Sequence, residues 1–419
     1  MAADLLADAS WTCCRTEPGA ADSPKQLGAL APRWYAAEVP GTAAGALRAA
    51  GARWDDVDYD AEDWWFRTTF DGPPEDGPFD LRLDGIATLW EVWLNGERLA
   101  ESQGMFTPTS LELPELGPTN ELSIGCRALG PVLAARRPRP RWRTRLVDRQ
   151  TIRHVRTTLF GRIPSWAGRA APVGPWRPVT LRAAAGRPAA RLRRLSSSLE
   201  GSTGVVAVEL ALEAQPVQGR AWVIVEGSRA ELQPAGLDEQ GHPIVRATVA
   251  VPDVRPWWPH THGDQPLYEL DLLVDGARSR LARTGFRKVE VDRSGGAFDV
   301  SVNGVKIFCR GACWVPVDPV TMVAPPDVVR ASLEQLRSAN LNLVRVTGTM
   351  VYEDASFFDA CDELGLLVWQ DCMLANLEPP EDAEFAVQLE GELDHAFELL
   401  AGRPSIAVVS GGSEIEQQA

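Results

Sequence analysis

From about Trp64 to Val289 this chain reads as short strands, and after Phe298 strands alternate with helices. "FDVSVNGVKIFCRGACW" is a hairpin around Asn303-Gly304 that leads into an apolar, buried strand. "PPDVVRASLEQLRSAN", "EDASFFDACDELG" and "PEDAEFAVQLEGELDHAFELLAGR" then read as helices between the strands "LNLVRVTG", "LLVWQD" and "SIAVVSGGSE". In the last helix Phe385, Leu389, Leu393, Phe397 and Leu400 recur every three to four residues and predict one apolar stripe. The strands are apolar throughout, as strands covered on both faces are. Strands alternating with helices build a parallel sheet, and four such β units are present.

The preceding two thirds of the chain cannot form that sheet. From about Trp64 to Ala183, runs such as "DWWFRTTF", "FDLRLDG", "TLWEVWLNGERL" and "PWRPVTLRA" are short strands divided by Gly, Pro and Asn. Asn95-Gly96 between two such runs predicts a tight hairpin, because a type I′ turn needs positive φ at both central residues. This first stretch is expected to be an all-β sandwich. A second, from roughly Arg187 to Val289, has the length and strand pattern of an immunoglobulin-like sandwich without its Cys–Trp–Cys signature.

Composition narrows the partners. With 45% hydrophobic and 24% charged residues the 419-residue chain is globular, and its length suits two or three domains. A net charge of −15 argues against nucleic acid and against an anionic membrane surface, and leaves neutral polar ligands open. Asp4 and Asp8 stand where a signal peptide needs basic and then apolar residues, and no apolar run approaches the ~20 residues of a membrane span. The expected compartment is the cytoplasm, where seven cysteines without an obvious pairing framework stay reduced.

Several segments, taken in order, resemble glycoside hydrolase family 2, and most closely its β-mannosidase branch. They are "DWWFRTTF", "LWEVWLNG", "VGPWRPVTL", "RPWWPHTHGDQPLYELDL", "TGFRKVEV", "VNGVKIFCRGACWVPVD", "NLNLVRVTG", "FFDACDELGLLVWQD" and "RPSIAVVSGGSE". The resemblance implies a multidomain β plus α/β chain in three parts. Residues 1–185 would form a jelly-roll, sugar-binding-like domain and residues 186–290 an immunoglobulin-like sandwich. Residues 291–419 would be the first half of a (β/α)8 TIM barrel, since a whole barrel takes about 250 residues.

Retaining hydrolysis of a β-glycoside needs two carboxyl groups about 5–5.5 Å apart, one as nucleophile and one as acid and then base. The resemblance makes Glu414 the acid/base, just after the fourth strand of the barrel. It places the nucleophile on the seventh strand, outside this chain. Arg345 matches an arginine beside that nucleophile, where a guanidinium would hold the carboxylate ionised. Asp371 divides between a ligand for a sugar hydroxyl and a loop cap, and Trp369 between a pocket wall and the core, its apolar neighbours favouring the core. Ser413 stands where the family commonly has an asparagine that reaches the sugar 2-hydroxyl, and Thr347 where it often has a tryptophan. Trp166, in "LFGRIPSWAG", is the best counterpart of a first-domain loop that approaches the sugar.

The implied activity is a retaining exo-β-glycosidase acting on terminal β-D-mannosides, with a β-linked oligosaccharide as substrate and no metal or cofactor. This chain alone would be inactive and would lack the second half of its barrel as a partner. A non-catalytic carbohydrate-binding or scaffolding remnant is the alternative, and a split enzyme a weaker third reading. The arginine-rich "RRPRPRWRTRLVDRQTIRHVR" is expected as a solvated or inter-domain loop, and Trp257-Trp258 as packing between the second domain and the barrel. Cys309, Cys313, Cys361 and Cys372 are expected as buried core thiols, with Cys309 and Cys313 on one face of a strand, and His260 and His262 carry no metal role.

Overall fold

The computed structural model describes residues 3–73, 77–113, 115–163, 170–184, 190–212, 220–238, 241–274 and 276–415. The fold is mostly β and multidomain, with several sheets and few helices.

The first region pairs a six-stranded and a three-stranded antiparallel sheet. Strand Asp63–Asp71 sits inside the larger sheet, between Trp11–Thr16 and Thr119–Arg127. Its successive side chains enter different cores, which is why "DWWF" is unbroken by a polar residue. Trp64 and Phe66 join Val92 and Ile124 against Phe79, Leu81 and Leu83 of the smaller sheet. Trp65 turns the other way, onto Cys14, Ala21 and Leu27. At the predicted hairpin Leu94 pairs with Glu97, and Asn95 and Gly96 take φ of 52° and 84°.

The second region packs two four-stranded antiparallel sheets around Val206, Leu210, Val223, Val225, Val249, Leu270 and Phe286. Strand Pro243–Val251 alternates buried and exposed residues for most of its length, as a strand with one wet face does.

The third region opens on the predicted hairpin, with Asn303 and Gly304 at φ of 50° and 78°. It continues into four parallel strands in chain order, Gly311–Trp314, Leu343–Val346, Leu367–Asp371 and Ile406–Ser410. Helices Pro326–Ser338, Ala355–Leu364 and Ala383–Leu400 connect them. The middle helix is delimited by its sequence. Asp354 caps it by accepting the amides of Ser356 and Phe357, and Gly365 leaves it with φ 71°.

Three expectations need correction here. The first strand is exposed except for Trp314, and Val409 of the fourth is 45% exposed. Each is an outermost strand of the sheet, so only the two inner strands have neighbours on both sides. For the same reason Cys313 is exposed; Cys309 is exposed too and lies before the strand, while Cys361 and Cys372 are buried. In the last helix the buried line is Phe385, Glu392, Ala396 and Leu400, and Phe397 faces out. The register is rotated because Glu392 is drawn inward by a buried arginine.

Contacts between regions are specific. Trp257 is fully buried against Ile307, Leu343 and Leu367 and donates its indole N–H to the Asp362 carbonyl at 2.8 Å. Arg287 donates to the Pro404 carbonyl at 2.6 Å, also joining the second region to the third. Part of the arginine-rich stretch forms an inter-region clamp: Arg141 pairs with Glu378, and Arg153 donates to the Glu378 carbonyl at 2.8 Å. Among the described residues no helix is long and apolar enough to cross a membrane.

Candidate active site

Parallel strands bring residues that are far apart in sequence to one edge of the sheet, at their C-terminal ends. Arg345 is the third residue of its four-residue strand and Asp371 the last of its strand. Beyond Ser410 the pairing resumes as a bridge: Ser413 donates its amide to the Leu374 carbonyl at 2.8 Å, and Asn376 donates to the Ser413 carbonyl at 3.0 Å. Glycine is required for this approach. A Cβ on Gly412 would lie 2.7 Å from the Leu374 carbonyl oxygen, and one on Gly348 would lie 2.5 Å from the same oxygen.

The guanidinium of Arg345 donates to Asp371 Oδ2 from Nη2 at 2.8 Å and from Nε at 3.2 Å. Nη2 also reaches Ser413 Oγ at 3.4 Å. The Gly348 amide donates to the same Asp371 oxygen at 3.3 Å. Asp371 is fully buried while a third of the Arg345 side chain remains accessible, so the acid holds the base by its far side. Burial pushes the Asp371 carboxyl above the usual aspartate range, and Arg345 opposes that rise. Trp369 stacks on Phe298 with ring centroids 5.3 Å apart, and the Arg345 guanidinium lies 5.2 Å from its ring centre.

Ser413 is buried and Glu414 is exposed, with a positive φ of 54° that turns its side chain out of the Ser413 register. Asp371 Oδ1 and both amide atoms of Asn376 are buried without a protein partner among the described residues. Buried polar atoms of this kind ordinarily hold water or a ligand. Thr347 is buried and shares a 2.8 Å hydrogen bond with Thr349.

The first region reaches this edge through groups that periodicity did not reveal. Arg156 donates to both oxygens of Glu392, at 2.9 and 2.7 Å, and to the Met373 carbonyl at 2.8 Å. Tyr352 donates to Glu392 at 3.0 Å and accepts the Met373 amide at 3.1 Å. This buried network ties the segment after Asp371 to the helix that leads to the fourth strand. Its sequence signal is Glu392, an acid in the apolar register of Phe385, Ala396 and Leu400. Nearby, Trp314 donates to Glu353 at 2.9 Å, and burial raises that carboxyl from 4.5 to about 7 against the pull of Arg177.

Residues 11–177 match the model of the glycosyl hydrolase 2 galactose-binding domain-like family. β-Mannosidase B of Emericella nidulans is 27% identical over 389 residues, covering 88% of this chain and 45% of that relative. The Aspergillus fumigatus β-mannosidase B is 29% identical over 403 residues, with the same coverage. The crystal structure of the β-D-mannosidase from Dictyoglomus thermophilum superposes with a TM-score of 0.81 at 25% identity, over 98% of this chain and 52% of that one. The chain is similar to glycoside hydrolase family 2 β-mannosidases over most of its length. The chain spans about half the length of the curated relatives it matches.

Of the residues that the sequence singled out, Arg345, Asp371 and Ser413 form one hydrogen-bonded group, and Trp369 joins it through the Arg345 guanidinium. Glu414 is the next residue in the chain. Trp166 lies outside the described residues. Asn376 and the Arg156–Glu392–Tyr352 network were not anticipated.

Proposed function

We propose that this chain is the N-terminal portion of a retaining exo-β-glycosidase that removes terminal β-D-mannosyl residues. In this reading the four parallel strands are the first half of a (β/α)8 barrel. Residues 1–185 form a jelly-roll domain, 186–290 an immunoglobulin-like domain, and 291–419 the half-barrel.

The observation that carries the reading is the convergence of Arg345, Asp371 and Ser413 at the C-terminal ends of parallel strands, with an exposed Glu414 beside them. Barrel enzymes hold their reactive groups at that end. Glu414 protonates the leaving oxygen and then activates water. Arg345, oriented from behind by Asp371, offers its accessible face to the nucleophile, which a later strand supplies. Ser413 has the shorter reach toward the sugar 2-hydroxyl, and the unpartnered amide of Asn376 is held one hydrogen bond away from it in the backbone. The resemblance to the β-mannosidases supports the choice of β-mannoside.

The test is turnover of aryl β-mannosides by a protein that continues through the rest of the barrel, compared with its Glu414→Ala variant. Loss of the general acid should lower turnover by about 10²–10⁴-fold for a poor leaving group and much less for a good one. Azide should restore turnover of the activated substrate. A variant equally impaired on all leaving groups, or unimpaired, removes the acid/base role. The 419-residue chain alone is expected to show no turnover.

A further inference from the structure

The six-stranded sheet turns Trp64, Trp90 and Val92 into the first core, and its opposite face carries Asp63, Glu91 and Arg127 on three neighbouring strands. These form a buried network. Arg127 donates to Asp63 at 2.8 Å and pairs with Glu91, and Asp63 also accepts the amides of Ala128 at 2.8 Å and Gly19 at 3.0 Å. The side chains of Asp63 and Glu91 are only 2% and 8% exposed. Above them lies a groove of about 880 Å³. One wall is the edge strand Glu97–Gln103, with Arg98 half exposed and Gln103 exposed; the other is helix Leu129–Ala134, which presents Pro131 and Val132.

That helix also joins the groove to the candidate site. Its other residues, Leu129 and Leu133, pack in one apolar cluster with Ala375 and Leu377, in the segment that follows Asp371. One short helix therefore stands between the two. We propose that this groove binds the part of a neutral oligosaccharide that extends away from the sugar at the candidate site. The inference rests on the glycosidase reading.

The chemistry selects that ligand. The groove is lined by four carboxylates and two guanidinium groups, a balance that repels polyanions. Among the described residues no three acids, histidines or cysteines converge to hold a metal ion. Arg98, which pairs with Glu101 at 2.7 Å, and Gln103 present planar forks whose remaining donors and acceptors suit vicinal hydroxyls, and Pro131 with the uncovered parts of Leu89 and Val132 offers apolar surface to the C–H face of a sugar ring. The seven-residue edge strand runs roughly 20 Å, long enough for several sugar units rather than one.

The test is calorimetric titration of the 419-residue protein with β-1,4-linked mannotetraose and, separately, with mannose. The tetraose should bind and mannose should bind at least about tenfold more weakly, the equivalent of one or two hydrogen bonds. The double variant Arg98→Ala, Gln103→Ala changes two residues of the edge-strand wall, of which Arg98 also lies 3.8 Å from Glu91; with an unchanged melting profile it should bind the tetraose at least about fivefold more weakly. Wild-type affinity in this variant, equal affinity for mannose, or no binding of the tetraose at millimolar concentration overturns the proposal. Turnover by the longer protein is read separately, so failure here with turnover intact leaves the glycosidase reading standing.

Discussion

The first sandwich and the parallel sheet differ in how they end. In the sandwich two sheets share one core, and strand Asp63–Asp71 is flanked on both sides and covered on both faces. The outermost strands of the parallel sheet, Gly311–Trp314 and Ile406–Ser410, are apolar yet only partly covered, and around the sheet Phe308, Phe397 and Val409 are exposed. An apolar run in sequence thus states what a strand is suited to, while its neighbours decide whether it is buried. Open edges with exposed apolar residues are also where chains associate.

Substitutions should separate the two regions. Trp64→Ala, in the closed core, is expected to cost ~3–5 kcal/mol in urea unfolding of the first region. A cost below ~1 kcal/mol would mean that the two sheets do not share a tight core. Arg156→Met leaves Glu392 buried beside Tyr352 with no cation, and should destabilise the third region by a comparable ~3–5 kcal/mol. The measurement is hydrogen exchange in the Ala383–Leu400 helix, which should rise in the variant while exchange in Asp63–Asp71 stays unchanged.

Glu353 gives a smaller, pH-dependent effect. Its carboxyl is raised from 4.5 to about 7 in the folded chain, so between those values the folded state binds the proton that the unfolded state has released. Its contribution is therefore full below about pH 4.5 and falls as pH rises toward 7, by up to ~3 kcal/mol. Glu353→Gln should flatten that part of the stability profile. An unchanged slope would assign it to other groups. Smallest of all, Phe397→Ser on the exposed face of the last helix should alter stability by within ~0.5 kcal/mol. It should nevertheless lower self-association in sedimentation, which the same change at a buried position could not do without unfolding.

Much of the architecture could be read from residues alone. Asn95-Gly96 and Asn303-Gly304 specify hairpins because the turn needs positive φ, and both pairs adopt it. Asp354 and Gly365 bound a helix through local hydrogen bonding and left-handed geometry. The helix–strand alternation after Phe298 announced a parallel sheet. The last helix was misread by its apolar letters, since Glu392 is in and Phe397 is out. Periodicity records hydrophobicity, whereas Arg156, 236 positions earlier, makes the inward position polar.

The candidate site divides in the same way. The resemblance to family 2 pointed to Glu414, Arg345, Asp371 and Ser413 as individual residues. Only the folded chain shows that Asp371 is sealed behind Arg345, that Ser413 rather than Glu414 faces the guanidinium, and that Asn376 is buried with its amide unspent. Local rules of turn, cap and strand period act over a few residues and are written in the sequence. Which charge a buried group meets depends on contacts across hundreds of positions, and those exist only when the regions are packed together.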